Sequence, residues 1–174
     1  MSKDALQAIP VWTQGVPDAV EIYTDGSLPK DELLASWGLV ILVVKDKVRF
    51  LFGGLCATLA NSGTVCSIAK PSSTTSELAG LTWGLLWNLA AFPNVPTKFF
   101  SDSTSAIGLT TGHFASAAGS DLATLAAMMF RLKAVRASTQ CQHVKAHRGD
   151  PWNELADWLA ACPQFHTYRV AASN

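Results

Sequence analysis

No apolar run in this 174-residue chain is long enough to cross a bilayer; the most hydrophobic stretch, Leu39 to Val44, is short and suits a buried strand. The N-terminus, Met1-Ser2-Lys3-Asp4, lacks the basic region and apolar stretch of a secretory signal, so no signal peptide is expected. Cys56, Cys66, Cys141 and Cys162 are scattered with no CxxC pair, which excludes a cysteine-based metal knuckle and reads as free thiols in a reducing, intracellular compartment. GxGxxG and GxxxxGK[ST] are both absent, which argues against a small-molecule enzyme built on a phosphate-cradling loop. HExxH is absent too; His143 and His147 stand four apart on a strand-like stretch, where they are too far apart to share one zinc ion easily. Charge is sparse: 15% of residues are Asp, Glu, Lys or Arg, with 13 basic and 13 acidic residues and no net charge. Without a basic stripe, tight nucleic-acid binding is disfavoured at face value. That objection weakens if four acids belong to a metal site, because removing four carboxylates from a chain of zero net charge leaves +4.

What is present is apolar. Hydrophobic residues make up 49% of the chain, enough for one domain with a real core and against disorder. Residues 1–18, with Pro10, Gly15 and Pro17, read as a leader or linker, 19–162 as the folded domain, and 163–174 as a tail. Val20–Thr24, Trp37–Val44 and Val48–Gly53 read as three strands in a row, the first ending at the turn signal Asp25-Gly26-Ser27 and the second pair joined by a tight turn at Asp46. The stretch 53–75 supports an extended third strand, a small hairpin or a loop. Leu78, Leu81, Leu85 and Leu89 recur at helical spacing, predicting a helix over Ser76–Ala91, capped by Ser73, Thr74 or Thr75 and stopped by Pro93 and Pro96. A fourth strand over Thr97–Ser101, a short helix over Ser103–Leu109, a helix over Asp121–Ala137 with Leu122, Leu125, Met129 and Leu132 on one side, a fifth strand over Cys141–Lys145 and a last helix over Pro151–Ala161 complete the order. Strands alternating with helices in the second half imply parallel pairing there. The expected fold is therefore α/β, a mixed five-stranded sheet with three antiparallel strands followed by parallel ones, flanked by helices.

Four acids stand at telling places on that map. Asp25 ends the first strand, Glu77 lies in the first turn of the first long helix, Asp102 ends the fourth strand and Asp157 sits in the last helix, near Glu154. Each alone is an ordinary turn, cap or helix residue. If strands one and four are neighbours, Asp25 and Asp102 emerge side by side at the carboxyl ends of the sheet, where open α/β sheets bind ligands. Oxygen-only ligands select hard ions such as Mg²⁺ or Mn²⁺, and two such ions roughly 4 Å apart can clamp both oxygens of an in-line phosphoryl displacement.

Several segments resemble the ribonuclease H family. Tyr23-Thr24-Asp25-Gly26-Ser27 resembles its first-strand motif, Thr75-Ser76-Glu77-Leu78-Ala79 its first helix, and Ser101-Asp102-Ser103 the end of its fourth strand. The run from His143 through His147, Gly149, Asn153 and Glu154 to Asp157 resembles its C-terminal signature. The resemblance spans about residues 19 to 161. It implies the ribonuclease H-like fold and metal-dependent cleavage of RNA in an RNA·DNA hybrid, with 5′-phosphate and 3′-hydroxyl products. It implies Asp25, Glu77, Asp102 and Asp157 as ligands of two Mg²⁺ ions, for which Mn²⁺ would substitute. His147 would assist proton transfer or product release from a mobile loop, and Glu154 would be a secondary acid. Gly26, Ser27, Ser73, Thr74 and Thr104 would touch the nucleic acid, with Gly26 letting the duplex approach the backbone.

The sequence departs from the family where Ser73, Thr74 and Thr75 stand before the helix glutamate in place of longer amides, and where Thr104 replaces a common glutamine. The stretch from Gly112 to Asp121 is Ala-, Ser- and Gly-rich and holds no basic protrusion. Grip on the hybrid would then come from a neighbouring domain, so the resemblance points to a monomeric retroelement domain carried with a reverse transcriptase, without membrane attachment. An inactive connector with the same fold is the alternative. An integrase-like strand transferase is disfavoured, since its last acid is a glutamate. Trp83 and Trp87, one turn apart, read as core rather than as a stacking platform, and Trp152 as packing.

Overall fold

The computed structural model describes residues 10, 12, 15–29, 35–59, 71–115, 121–146, 149–162 and 168–169. Its sheet is built from β1 (Ala19–Ser27), β2 (Ser36–Lys45), β3 (Val48–Thr58), β4 (Thr97–Ser101), β5 (Thr139–His143) and the two-residue β6 (Tyr168–Arg169), in the order β5-β4-β1-β2-β3-β6. The first three strands form the expected antiparallel meander. β1 pairs parallel with β4, and β4 parallel with β5. Among the described residues four helices flank the sheet: α1 (Ser73–Ala91), α2 (Thr104–Thr111), α3 (Asp121–Arg136) and α4 (Pro151–Ala161).

The β2–β3 hairpin turns on Asp46 and Lys47, both with positive φ (50° and 66°), the twist a two-residue turn needs between right-twisted strands. β2 is buried along Ser36–Val43, as its unbroken apolar run requires of a central strand covered on both faces. On one face Ile22, Trp37, Leu39 and Ile41 meet Leu78, Leu81 and Leu85 of α1 and Ala123 and Ala126 of α3. Trp37 stacks on Trp83 at 5.7 Å, and Trp87 packs edge-on against Phe52 and Phe92, so both helix tryptophans belong to the core. On the other face Tyr23, Val40, Leu42 and Phe100 lie under α4, which contributes Ala156 and Leu159. There the Ser36 hydroxyl donates to Ala160 O at 2.6 Å.

Several boundaries differ from those expected. α1 begins at Ser73 rather than Ser76. Its N-cap is Ser72, whose Oγ accepts the Thr75 N–H while Thr75 Oγ1 accepts the Ser72 N–H. This is a capping box closed by threonine instead of the usual Glu or Gln. β3 runs on to Thr58, resolving the first part of the 53–75 stretch as strand; 60–70 lies outside the described residues. β5 starts at Thr139 and stops at His143. The chain on either side of the expected 19–162 domain also reaches the sheet: Leu51 donates to Pro10 O and accepts from Trp12 N, and Gly53 and Gly54 of β3 pair with β6. The five expected strands thus gain a short sixth at the β3 edge.

The buried side of α3 is rotated from the one its leucines suggest. Leu122, Ala123, Ala126 and Lys133 are buried, while Leu132 is 48% exposed. The reason is Lys133, fully buried, whose Nζ donates to the carbonyls of Phe92, Pro93 and Val95 just beyond α1. Burial pulls its pKa down to about 8. The lysine thus ties down the turn that follows α1, where the Phe92 carbonyl also accepts Val95 N–H and the Val95 carbonyl also accepts the Thr97 hydroxyl. Lys133→Met keeps the aliphatic stem but removes the one donor that these three carbonyls share. It is expected to cost about 2 kcal/mol in urea denaturation.

Candidate active site

β1 and β4 run side by side, so their carboxyl ends open together at one rim of the sheet. Asp25 stands near the end of β1, opposite Gly38 of β2, and Asp102 follows directly on the last residue of β4. α1 brings Glu77 to the same rim from one face, and α4 brings Asp157 from the other. Two glycines set those approaches. A Cβ on Gly26 would lie 2.5 Å from Glu77 N, and one on Gly38 would lie 2.5 Å from both Ala156 O and Ala160 N. The strands therefore touch the helix backbones directly, which draws each acid down to the sheet.

The result is a cluster in which carboxylate oxygens of Asp25, Glu77 and Asp102 all lie within 4.8 Å of one another. Asp25 and Glu77 are buried, at 6% and 5% exposure, and Asp102 is half-buried. Asp157, half-buried on α4, stands outside that trio but near enough for its charge to act on Asp25. Glu77 starts the second turn of α1, not the first, so helix N-terminal charge is not the reason for its presence.

Burial, followed by the charges of Asp102 and Asp157, pushes the Asp25 carboxyl up to about 7. The Gly26 N–H, donating to Asp25 Oδ1 at 2.7 Å, pulls the other way. Burial, then Asp25 and Asp102, pushes Glu77 up to about 9. The charges that act most on these two acids, Asp102 and Asp157 on Asp25 and Asp25 and Asp102 on Glu77, have their own sign, so at neutral pH the bare cluster retains protons. A divalent cation would replace those protons and match the oxygen-only donor set. The residues present therefore fit a hard cation.

Other expected site residues fall around this cluster in different ways. Ser73 and Thr104 are exposed, Thr74 is half-buried, and Ser27 is half-buried, its carbonyl accepting from Ser76 Oγ at 3.4 Å. Glu154 is exposed one turn before Asp157. His147 lies outside the described residues. Gly26 has a packing reason for being glycine, namely α1. Two further contacts go beyond what the sequence suggests. Ser101, fully buried, donates from Oγ to Glu77 Oε2 at 3.5 Å and accepts the Ser103 N–H at 3.2 Å. His143 Nε2 donates to the Asp102 carbonyl at 3.0 Å. The sequence signal for either is no more than its place beside an acid or inside the C-terminal signature. Asp150 caps α4, accepting from Trp152 N and Asn153 N, and so fixes the start of the helix that carries Asp157.

The chain matches no protein-family model and no curated protein. Solved structures do match. RNase H1 from the halophilic archaeon Halobacterium salinarum superposes with a TM-score of 0.59 at 17% identity, over 84% of this chain and 97% of that one. The N-terminal RNase H domain of a Mycobacterium tuberculosis protein gives 0.60 at 17%, over 84% and 96%. LC11-RNase H1, solved with an RNA/DNA hybrid, gives 0.56 at 14%, over 84% and 99%. Together with the mixed sheet, its strand order and the helices on both faces, these superpositions identify the architecture of this chain as the ribonuclease H fold.

Proposed function

We propose that this chain is a ribonuclease H, a divalent-cation-dependent endonuclease that hydrolyses the RNA strand of an RNA·DNA hybrid and leaves 5′-phosphate and 3′-hydroxyl ends. One observation carries the reading. On the ribonuclease H fold, two strand ends and a helix bring three carboxylates within 4.8 Å, two of them buried and surrounded by charges of like sign. Like charges in so dry a place oppose folding unless a ligand offsets them, and packing alone gives no reason to gather three acids at one rim. That LC11-RNase H1 holds an RNA/DNA hybrid supports the choice of substrate.

Asp25, Glu77 and Asp102 would hold the cation site, with Asp157 as the fourth ligand from α4. Two Mg²⁺ ions bound there, or Mn²⁺ in their place, would activate the attacking water and neutralise the leaving 3′ oxygen. Glu77 is kept in register by the buried Ser101 hydroxyl. His147 would carry a proton at the product side, and Glu154 would add negative charge at the solvent edge. The exposed hydroxyls of Ser73 and Thr104, with Thr74 and the backbone at Gly26 and Ser27, would contact the hybrid, where the 2′-hydroxyl marks RNA from DNA. Zero net charge and the uncharged stretch before α3 favour a domain that borrows substrate affinity from a reverse transcriptase in the same retroelement polyprotein.

The test is cleavage of a labelled RNA·DNA hybrid in Mg²⁺ and in Mn²⁺. RNA should be cut in the hybrid only, and cutting should vanish with chelator and with Asp102→Asn. Failure of the unaltered domain in both metals, with and without an added reverse transcriptase, would sink the reading and leave a binding or connecting role.

A further inference from the structure

One side chain at the carboxylate cluster has no part in the chemistry above. His143 is the last residue of β5, and the parallel register sets it beside Ser101, the last residue of β4. Its Nε2 lies 3.0 Å from the Asp102 carbonyl oxygen. A carbonyl can only accept, so Nε2 carries the hydrogen and donates it. One residue further on, Val144 N donates to Ser101 O at 3.0 Å. Two consecutive carbonyls at the end of β4 are thus held by two consecutive residues at the end of β5. Asp102 has already left the strand, so its peptide lies beyond the ladder that would otherwise orient it.

We propose that His143 is a positioning residue for the carboxylate cluster: by holding the Asp102 carbonyl, it fixes the direction of the Asp102 carboxylate and thereby the affinity of the cluster for a divalent cation. This inference rests on the reading of Asp25, Glu77 and Asp102 as cation ligands. The contact is exposed, so water can replace the imidazole at the carbonyl and little stability is at stake. Water is not tethered to β5, however, and cannot set a direction. Groups that orient metal ligands from behind typically matter about tenfold or more in metal affinity or rate.

The experiment compares His143→Leu and His143→Gln with the unaltered protein. Mn²⁺ binding without substrate is read from loss of the free-ion electron paramagnetic resonance signal, alongside metal-free Tm and separate kcat and KM for hybrid cleavage. His143→Leu should weaken Mn²⁺ binding and lower kcat by about tenfold each, with KM for the hybrid within about twofold. Its metal-free Tm should stay within about 2 °C of the unaltered value, a shift expected for the loss of an exposed hydrogen bond. His143→Gln, whose amide can donate to the same carbonyl, should recover Mn²⁺ affinity to within about twofold. Unchanged Mn²⁺ binding in His143→Leu overturns the inference, as does a rise confined to KM, which would make His143 a direct nucleic-acid contact. Failure of the unaltered protein to bind Mn²⁺ overturns the reading of the cluster as well, and is seen before any variant is made.

Discussion

Glu77→Gln is expected to lose hybrid cleavage by about a thousandfold or more, yet to be more stable than the unaltered protein in chelator at pH 8. The same physics gives both effects. Glu77 is buried and its carboxyl is pushed up to about 9, while Asp25 beside it is pushed up to about 7. In the unfolded chain both acids lose their protons near pH 4, so between about pH 4 and 9 the folded protein binds protons that the unfolded chain has released. Stability from these protons is complete below the unfolded values and is lost as pH rises through about 7 for Asp25 and about 9 for Glu77. Metal-free Tm should therefore fall steadily from about pH 5 to 9. Glutamine cannot ionise, so Glu77→Gln should flatten the upper part of that fall. At pH 8 it should gain on the order of 3 kcal/mol, or about 8 °C in a domain of this size. Saturating Mg²⁺ should raise the unaltered protein by about the same amount, since at a hundred times its Kd a ligand that binds only the folded state contributes about 2.7 kcal/mol. Thermal melts over pH in chelator and in Mg²⁺ check all of this. A pH-independent metal-free Tm would show that the acids are solvated and not forced together.

Much of that site is legible in the sequence itself. The four acids stand out because each sits on an element whose type the residues declare. β-branched and aromatic runs lead into Asp25 and Asp102, and α4 announces itself with Asp150 as cap and Pro151 at its first position, so its bounds match those expected. What stays hidden depends on contacts distant in sequence. α1 starts early because Ser73 and Thr74 are poor helix formers that a Ser72–Thr75 box recruits, and no acid in that turn flags it. The leucines of α3 point to the wrong inner face because a lysine buried under three carbonyls has the sequence signature of a surface residue. Pro10, Trp12 and β6 join the sheet edge through short backbone pairings that leave no hydrophobic period to read. The ring of His143 on the Asp102 carbonyl spans 41 residues and follows from the β4–β5 register, which a single sequence does not supply.

Gly38→Ala and Gly26→Ala should both lower Tm and cripple cleavage. The pair also separates two explanations for the first-strand glycine. The resemblance suggests that Gly26 is small so that a duplex can approach the backbone. The structure gives a different cause: a methyl group there would sit 2.5 Å from Glu77 N and 2.8 Å from Ser76 C and Cβ. Backbone at that distance cannot rotate away as a flexible side chain would, so α1 itself must move. Gly38 is the mirror case on the opposite face, where a methyl would press on Ala156 O and Ala160 N. Overpacking of this kind costs about 1–3 kcal/mol, or about 3–9 °C here. Each displaced helix carries an acid, Glu77 on α1 and Asp157 on α4, and a shift near 1 Å in a reacting site costs about a hundredfold in rate. The expected result is a folded, destabilised protein in which kcat and metal affinity fall together while KM for the hybrid changes little. Were duplex approach the reason for Gly26, Gly26→Ala would keep its Tm and its metal affinity and raise KM alone. Gly38 lies under α4, where no duplex could enter, so Gly38→Ala calibrates the pure packing effect against which Gly26→Ala is read.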